Sequence, residues 1–121
     1  PMREATFWIL TALVDQPRHG YGVIQQVTKL SGGETRLLAA TLYAALDRLA
    51  AEGLVAVDRE EAVDGRLRRY YRLTPDGETA LRAETERMRR HVQAATARLR
   101  GLEPHLAWCP AGAQYVAIGQ R

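Results

Sequence analysis

Apolar positions recur at helical spacing through the first half of the chain, and beyond residue 53 the spacing changes to that of strands. From Ala5 to Asp15 almost every position is apolar (Phe7, Trp8, Ile9, Leu10, Leu13, Val14), which predicts a helix buried on more than one side. Gln16-Pro17 closes it, because the residue before proline disfavours helical backbone. After "PRHG", Tyr21, Val23, Ile24, Val27 and Leu30 mark one face of a short second helix that ends at Ser31-Gly32-Gly33. In "ATLYAALDRLAAEGL", Leu42, Leu46 and Leu49 recur at i, i+4 and i+7, so a third helix buries its leucines and stops at Gly53. Its other face carries Thr41, Ala44, Asp47, Arg48 and Ala51, with Tyr43 on the flank.

"LVAVDRE" is β-branched and short, "RLRRYYRLT" alternates, and Asp64-Gly65 between them signals a hairpin, since such a turn needs positive φ. Tyr70 and Tyr71 point to opposite faces of that hairpin, and alternation alone does not say which packs inward. A fourth helix follows, with Thr74 as N-cap, Pro75 in the first position and Asp76 and Glu78 in the first turn. Its apolar set, Leu81, Thr85, Met88, Val92, Ala95, Leu99 and Leu102, steps alternately by four and three, as a coiled-coil seam does. So small a body cannot cover that seam, which predicts a symmetric dimer with Leu10, Leu81, Met88, Val92, Ala95, Leu99 and Leu102 in its interface; the alternative is a seam packed within its own chain.

Three helices and then a hairpin is the order of a winged helix-turn-helix. The expected fold class is α+β, mostly helical: residues 1–73 form a winged helix-turn-helix, 74–102 a C-terminal dimerisation helix, and 103–121 a tail whose structure the sequence leaves unknown. Within that tail "AQYVAIG" has short-strand propensity.

Charge sharpens this reading. The 121 residues carry a formal net charge of +3, yet from Met2 to Val57 Arg3, Arg18, Lys29, Arg36 and Arg48 are balanced by Glu4, Asp15, Glu34, Asp47 and Glu52. The excess lies in "GRLRRYYRL" and again in the arginines of the fourth helix, and clustered cations are the electrostatic footprint of a nucleic-acid binder. On a wing, Arg66, Arg68 and Arg69 stand where they bind phosphate oxygens, with Arg66 and Arg68 beside the turn best placed.

"HGYGVIQQV" (His19 to Val27), "TLYAALDRLAAEGLV" (Thr41 to Val55) and "DGRLRRYYRLTPDG" (Asp64 to Gly77), in that order, resemble the PadR family of bacterial transcriptional regulators. The resemblance runs from about residue 3 to about residue 102. It implies a DNA-binding repressor that dimerises through the C-terminal helix, with help from the first, on a palindromic operator. It also implies the compact branch with a single C-terminal helix. Tyr21 matches the family's His-Gly-Tyr entrance to helix two, close to the DNA backbone, and Thr41 and Tyr43 match the opening of its recognition helix. Arg48 either reaches the DNA backbone or pairs with Glu52. The expected DNA-binding set is therefore Tyr21, Thr41, Tyr43, Arg48, Arg66, Arg68 and Arg69. Relatives that take phenolic acids or planar drugs between subunits imply a small aromatic effector, for which Phe7, Trp8, Met88 and Val92 are the candidates, core or interface packing being the alternative. Where the family commonly has glycine before the threonine of "TLY", this chain has Ala40, so the start of the third helix is expected to differ by part of a turn.

Other chemistry finds little support. Cys109 is the lone cysteine, His19, His91 and His105 lack ligand spacing, and no metal or cofactor is expected. Ser31 has no nucleophile context, Glu60-Glu61 sit in the hairpin, and no phosphate-binding glycine loop occurs, so the chain is not expected to be an enzyme. Phe7 to Val14 is too short and too poorly flanked for a signal peptide, and no apolar run reaches membrane-spanning length, so a cytoplasmic location is expected. The competing function is a winged-helix module whose recognition surface meets protein, a reading kept open by the near-neutral third helix and its outward Asp47.

Overall fold

The computed structural model describes residues 1–102, 106–109 and 114–117, the last two segments by their backbone. It divides into two compact units, Pro1–Glu84 and Thr85–Arg121, which meet inside the fourth helix.

The first unit opens with α1 (Glu4–Ala12), which ends three residues short of the expected Asp15. Leu13 and Val14 donate to the Leu10 and Thr11 carbonyls at 3.1 and 3.2 Å, tightening the last turn. Arg18 then holds the loop, its Nε donating to the Ala12 carbonyl at 2.8 Å while a terminal nitrogen pairs with Asp15 at 3.0 Å. Val14, expected on a buried side, is consequently 60 % exposed. The chain crosses β1 (Arg18–His19) into α2 (Gly20–Leu30), whose N-cap is His19: its Nδ1 accepts from the Gly22 N–H at 3.2 Å. Val23 and Val27 face inward, whereas Tyr21 and Leu30 stay exposed.

α3 (Ala39–Ala51) begins at Leu38, with no side chain capping it, and Ala40 lies within its first turn. Leu42, Ala45, Leu46 and Leu49 are buried against α1 and α2 residues. β2 (Val55–Val63) and β3 (Arg66–Leu73) pair antiparallel, and β1 adds to the far side of β3, giving the order β1-β3-β2. Asp64 and Gly65 both adopt positive φ (51° and 76°), the backbone of a two-residue turn between Val63 and its partner Arg66.

Burial decides what alternation left open, and β2 carries a bulge opposite the two tyrosines. Val57 pairs with Tyr71 and Arg59 with Tyr70, so Asp58 is the extra residue and the facing of β2 resets there. Tyr71 is buried at 4 % exposure, while Tyr70 packs on the other face between the His19 ring, edge-on at 5.4 Å, and the Arg59 guanidinium, 3.8 Å from its ring centre.

The core gathers Ile9, Leu10, Leu13, Val23, Val27, Leu42, Leu46, Leu49, Val55, Tyr71 and Leu81. Each fully buried aliphatic side chain contributes roughly 1.5–3 kcal/mol of transfer free energy. α4 (Pro75–Arg100) starts as expected, with Thr74 Oγ1 accepting from Gly77 N–H at 3.0 Å and donating to the Gly53 carbonyl at 2.6 Å. Thr74 N–H also donates to the Leu54 carbonyl at 3.1 Å. Gly77 lies so close to this turn that a Cβ there would collide with the Leu54 carbonyl oxygen and stand 2.7 Å from Leu73 Cδ1.

The second unit contains the rest of α4, on which Met88, Val92, Ala95 and Leu99 are exposed, as is Leu102 just beyond its end. In the expected tail, β4 (Leu106–Cys109) and β5 (Gln114–Ala117) pair antiparallel, with Leu106 opposite Ala117 and Cys109 opposite Gln114. The strand expected in "AQYVAIG" is β5, although its flanks, His105 and the Cys109 side chain lie outside the described residues. Among the described residues no helix is long and apolar enough to cross a membrane.

Candidate functional site

The sheet, α2 and α3 together shape an open groove of about 950 Å³, walled on one side by His19, Gly20 and Tyr21 at the entrance to α2 and by Tyr43 and Asp47 of α3. The other wall is the wing, from Val63 and Asp64 at its turn to Arg66, Arg68 and Arg69. Tyr21, Tyr43, Arg66, Arg68 and Arg69, singled out separately in the sequence, thus meet in one concavity. Tyr43 reaches it because position 20 is glycine: a Cβ on Gly20 would collide with the tyrosine hydroxyl and stand 2.6 Å from its Cζ. The ring is still 48 % exposed.

Thr41 and Arg48 lie elsewhere. They line a second groove with Arg3, Ala5, Thr6, Ala40 and Ala44, between the start of α1 and α3. Arg48 donates to Thr6 Oγ1 at 3.0 Å and stands 3.7 Å from Glu52, so the expected Glu52 pair is present and the guanidinium also ties α3 to α1. At 39 % and 50 % side-chain exposure the ion pair itself contributes little, well under about 1 kcal/mol. Thr6, only 5 % exposed, gave no sequence signal, because its partner is on another helix.

The wing's charge is unevenly available. Arg69 donates to Glu60 at 3.0 Å, a bond that pushes the arginine pKa upward, and Arg72 approaches Asp58 at 3.9 Å. Arg59 pairs with Asp58 and Glu61 at 3.4 and 3.7 Å, and Glu61 also accepts from the Tyr70 hydroxyl at 2.9 Å. Arg66 and Arg68 form no ion pair among the described residues, although Glu61 is the cross-strand neighbour of Arg68. Beside them, the His19 pKa lies below its ordinary value: burial lowers it first, the Arg68 charge lowers it further, and Glu61 opposes both. A neutral ring is what its cap requires, since only an unprotonated Nδ1 can accept the Gly22 N–H.

Phe7 and Trp8 are half-buried against the core and meet edge to face at 5.2 Å. Leu10, expected at an interface, is fully buried in its own chain, which makes it a core residue with no surface to offer. Leu81 is buried likewise, because the first turns of α4 pack with the first unit. Among the described residues no cluster of His, Cys, Asp and Glu could hold a metal.

Residues 9–83 match the Transcriptional regulator PadR-like family. The chain belongs to this family. Among its relatives, Transcriptional regulator Rv3488 of Mycobacterium tuberculosis is 37 % identical over 99 residues, covering 82 % of this chain and 85 % of that protein. A PadR family transcription regulator from Clostridium difficile superposes with a TM-score of 0.65 at 25 % identity, over 78 % of this chain and 96 % of the other. The fold is also that of Bacillus subtilis PadR, solved in complex with operator DNA: TM-score 0.62, 21 % identity, 69 % of this chain and 48 % of that one. The winged-helix architecture of this PadR-like regulator is therefore the family's own.

Proposed function

We propose that this PadR-like regulator binds double-stranded DNA as a homodimer and acts as an effector-responsive repressor at a palindromic operator. The observation that carries the reading is the groove in which Arg66 and Arg68, free of ion pairs among the described residues, stand across from α3. Cations not already neutralised by carboxylates displace counterions from phosphates, which is the main source of non-specific DNA affinity. In this arrangement α3 enters the major groove, the wing follows the adjacent backbone, and Tyr21 and Tyr43 supply hydroxyls to phosphates or base edges. The B. subtilis relative bound to operator DNA supports it.

Dimerisation uses the exposed seam of α4, Met88, Val92, Ala95 and Leu99, continued by Leu102 beyond its end, with Leu10 and Leu81 left to the core. The effector is a small aromatic molecule, to which Phe7 and Trp8 offer flat apolar rings. It acts by binding one of two half-site spacings more tightly than the other, and that difference sets how far it shifts DNA binding. A cytoplasmic location follows from the role.

The test is fluorescence-anisotropy titration of DNA from upstream of the regulator's own gene, and of a scrambled duplex, across a salt series, for wild type and Arg66→Ala/Arg68→Ala. Specific binding that weakens with salt is expected. The double variant should show a salt slope shallower by about 1.8 per chain, since each phosphate left un-neutralised lowers the slope by about 0.9. No binding to either duplex at low salt would refute the reading and favour a protein-binding winged helix.

A further inference from the structure

The surface that α3 offers to solvent is unlike that of a helix reading bases through hydrogen bonds. Between Leu38 and Asp47 the exposed positions are Leu38, Ala39, Ala40, Thr41, Tyr43, Ala44 and Asp47, and Leu38 at the N-cap is 76 % exposed. No arginine, lysine, asparagine or glutamine occurs among them, and those are the side chains that make bidentate bonds to guanine or adenine in the major groove. Arg48, the single basic residue of the helix, is half-buried and turned to Thr6 and Glu52. The opposite face is fixed in the core through Leu42, Leu46 and Leu49, so the helix cannot rotate to present anything else. What it presents is methyl groups, with two hydroxyls and one carboxylate. Ala40, Thr41 and Ala44 line the second groove, and on the same helix Tyr43 and Asp47 line the groove of the unpaired wing cations, so phosphates held by the wing bring bases to a helix that offers them chiefly an apolar edge.

From this juxtaposition we propose that the regulator reads its operator chiefly through thymine 5-methyl groups in the major groove, packed against Leu38, Ala40, Thr41 and Ala44. The proposal rests on the DNA-binding reading and adds the class of base feature that confers specificity. Thymine is the one base with an apolar group on its major-groove edge, and Ala and the Thr methyl are the side chains that suit it. Asp47, beside the wing in the first groove, adds selectivity by repelling phosphate and accepting only from a donor such as the cytosine amino group. Leu38, Ala40 and Ala44 carry no hydrogen-bonding side chain, so their contribution is lost with the methyl alone.

The experiment isolates that methyl. The probe is the tightest duplex enriched by the full-length protein from a randomised library. Each of its thymines is replaced in turn by deoxyuridine, which deletes the methyl and keeps every hydrogen-bonding group. Burial of one methyl-sized group corresponds to about a fourfold change in Kd, so about fourfold weakening is expected at one or two positions of each half-site. Leu38→Ala and Thr41→Ser lie at exposed sites that leave the core intact, a point checked by circular dichroism. Each should shrink the penalty at the position it touches to less than about twofold and leave the penalties at the other positions as in wild type. If deoxyuridine at every position changes Kd by less than about twofold while the unmodified duplex binds tightly and with salt dependence, methyl readout is overturned and DNA binding stands. If no duplex is enriched or bound at low salt, both fall together.

Discussion

Replacing Gly77 by alanine puts a methyl group where α4 begins beneath the α3–β2 turn. That methyl would collide with the Leu54 carbonyl oxygen and lie 3.0 Å from the carbonyl carbon and 2.7 Å from Leu73 Cδ1. A backbone carbonyl cannot swing aside as a side-chain tip can. The start of α4 must therefore retreat by about an ångström, and overpacking of this kind costs about 1–3 kcal/mol. Retreat stretches two bonds, Thr74 N–H to Leu54 and Thr74 Oγ1 to Gly53, each with a net worth of about 1 kcal/mol. Against these stands about 1 kcal/mol gained from alanine's helix propensity. The net expectation is a loss of about 2–4 kcal/mol, or a drop of about 1–2 M in the urea midpoint for an m-value near 2 kcal/mol/M. Both proteins are compared at one protomer concentration, because the stability of the proposed dimer depends on it. Gly22→Ala is the internal control: its Cβ would meet Arg18 and the His19 ring at an ordinary 3.7 Å, so propensity alone should leave it neutral or up to about 1 kcal/mol more stable. A Gly77→Ala protein as stable as wild type would refute the steric reasoning, and equal losses in both variants would show that the contact with Leu54 has no special weight.

The His19 cap carries a pH signature. Its folded pKa lies below the ordinary value of about 6.5, so its stabilisation is fully present above about pH 6.5 and is lost as pH falls through the lower folded value. Urea midpoints measured from pH 7.5 down to 5 (about the titration range) should fall more steeply for wild type than for His19→Asn, which caps without titrating; parallel curves would refute the assignment. The α4 seam predicts that Val92→Asp/Leu99→Asp sediments as a monomer with unchanged helix content, since both side chains are 63 % exposed in the single chain. A dimer that persists would remove those residues from the interface.

Elements held together by neighbours in sequence were legible, and those held by distant partners were not. The Asp64-Gly65 turn, the Thr74 cap and the leucine face of α3 each follow from short-range backbone chemistry, and all three stand where expected. The early end of α1 depends on Arg18 reaching back to Ala12, and β1 is two residues whose strand character exists only through pairing with Tyr70 and Tyr71. The assignment of Tyr71 to the core depends on the helices that pack beneath the sheet, which strand alternation does not report. At the candidate site, the residues lining the main groove were legible as hydroxyls and arginines. Which arginines are neutralised depended on the cross-strand register, and the burial of Leu10 on the residues of other elements that gather with it in the core.

The acids of β2 give the wing counterions of its own. Glu60 and Asp58 already occupy Arg69 and Arg72, and Asp58 and Glu61 occupy Arg59, so of the hairpin's five arginines only Arg66 and Arg68 face their surroundings without an ion pair among the described residues. On the proposed reading this bears on how the regulator searches a chromosome. Weak attachment to arbitrary sequence means short stays and frequent hops, leaving more of the protein free to sample. Long residence is then reserved for sites whose shape and base edges fit, so that β2 sets the pace of the search although it reads no base.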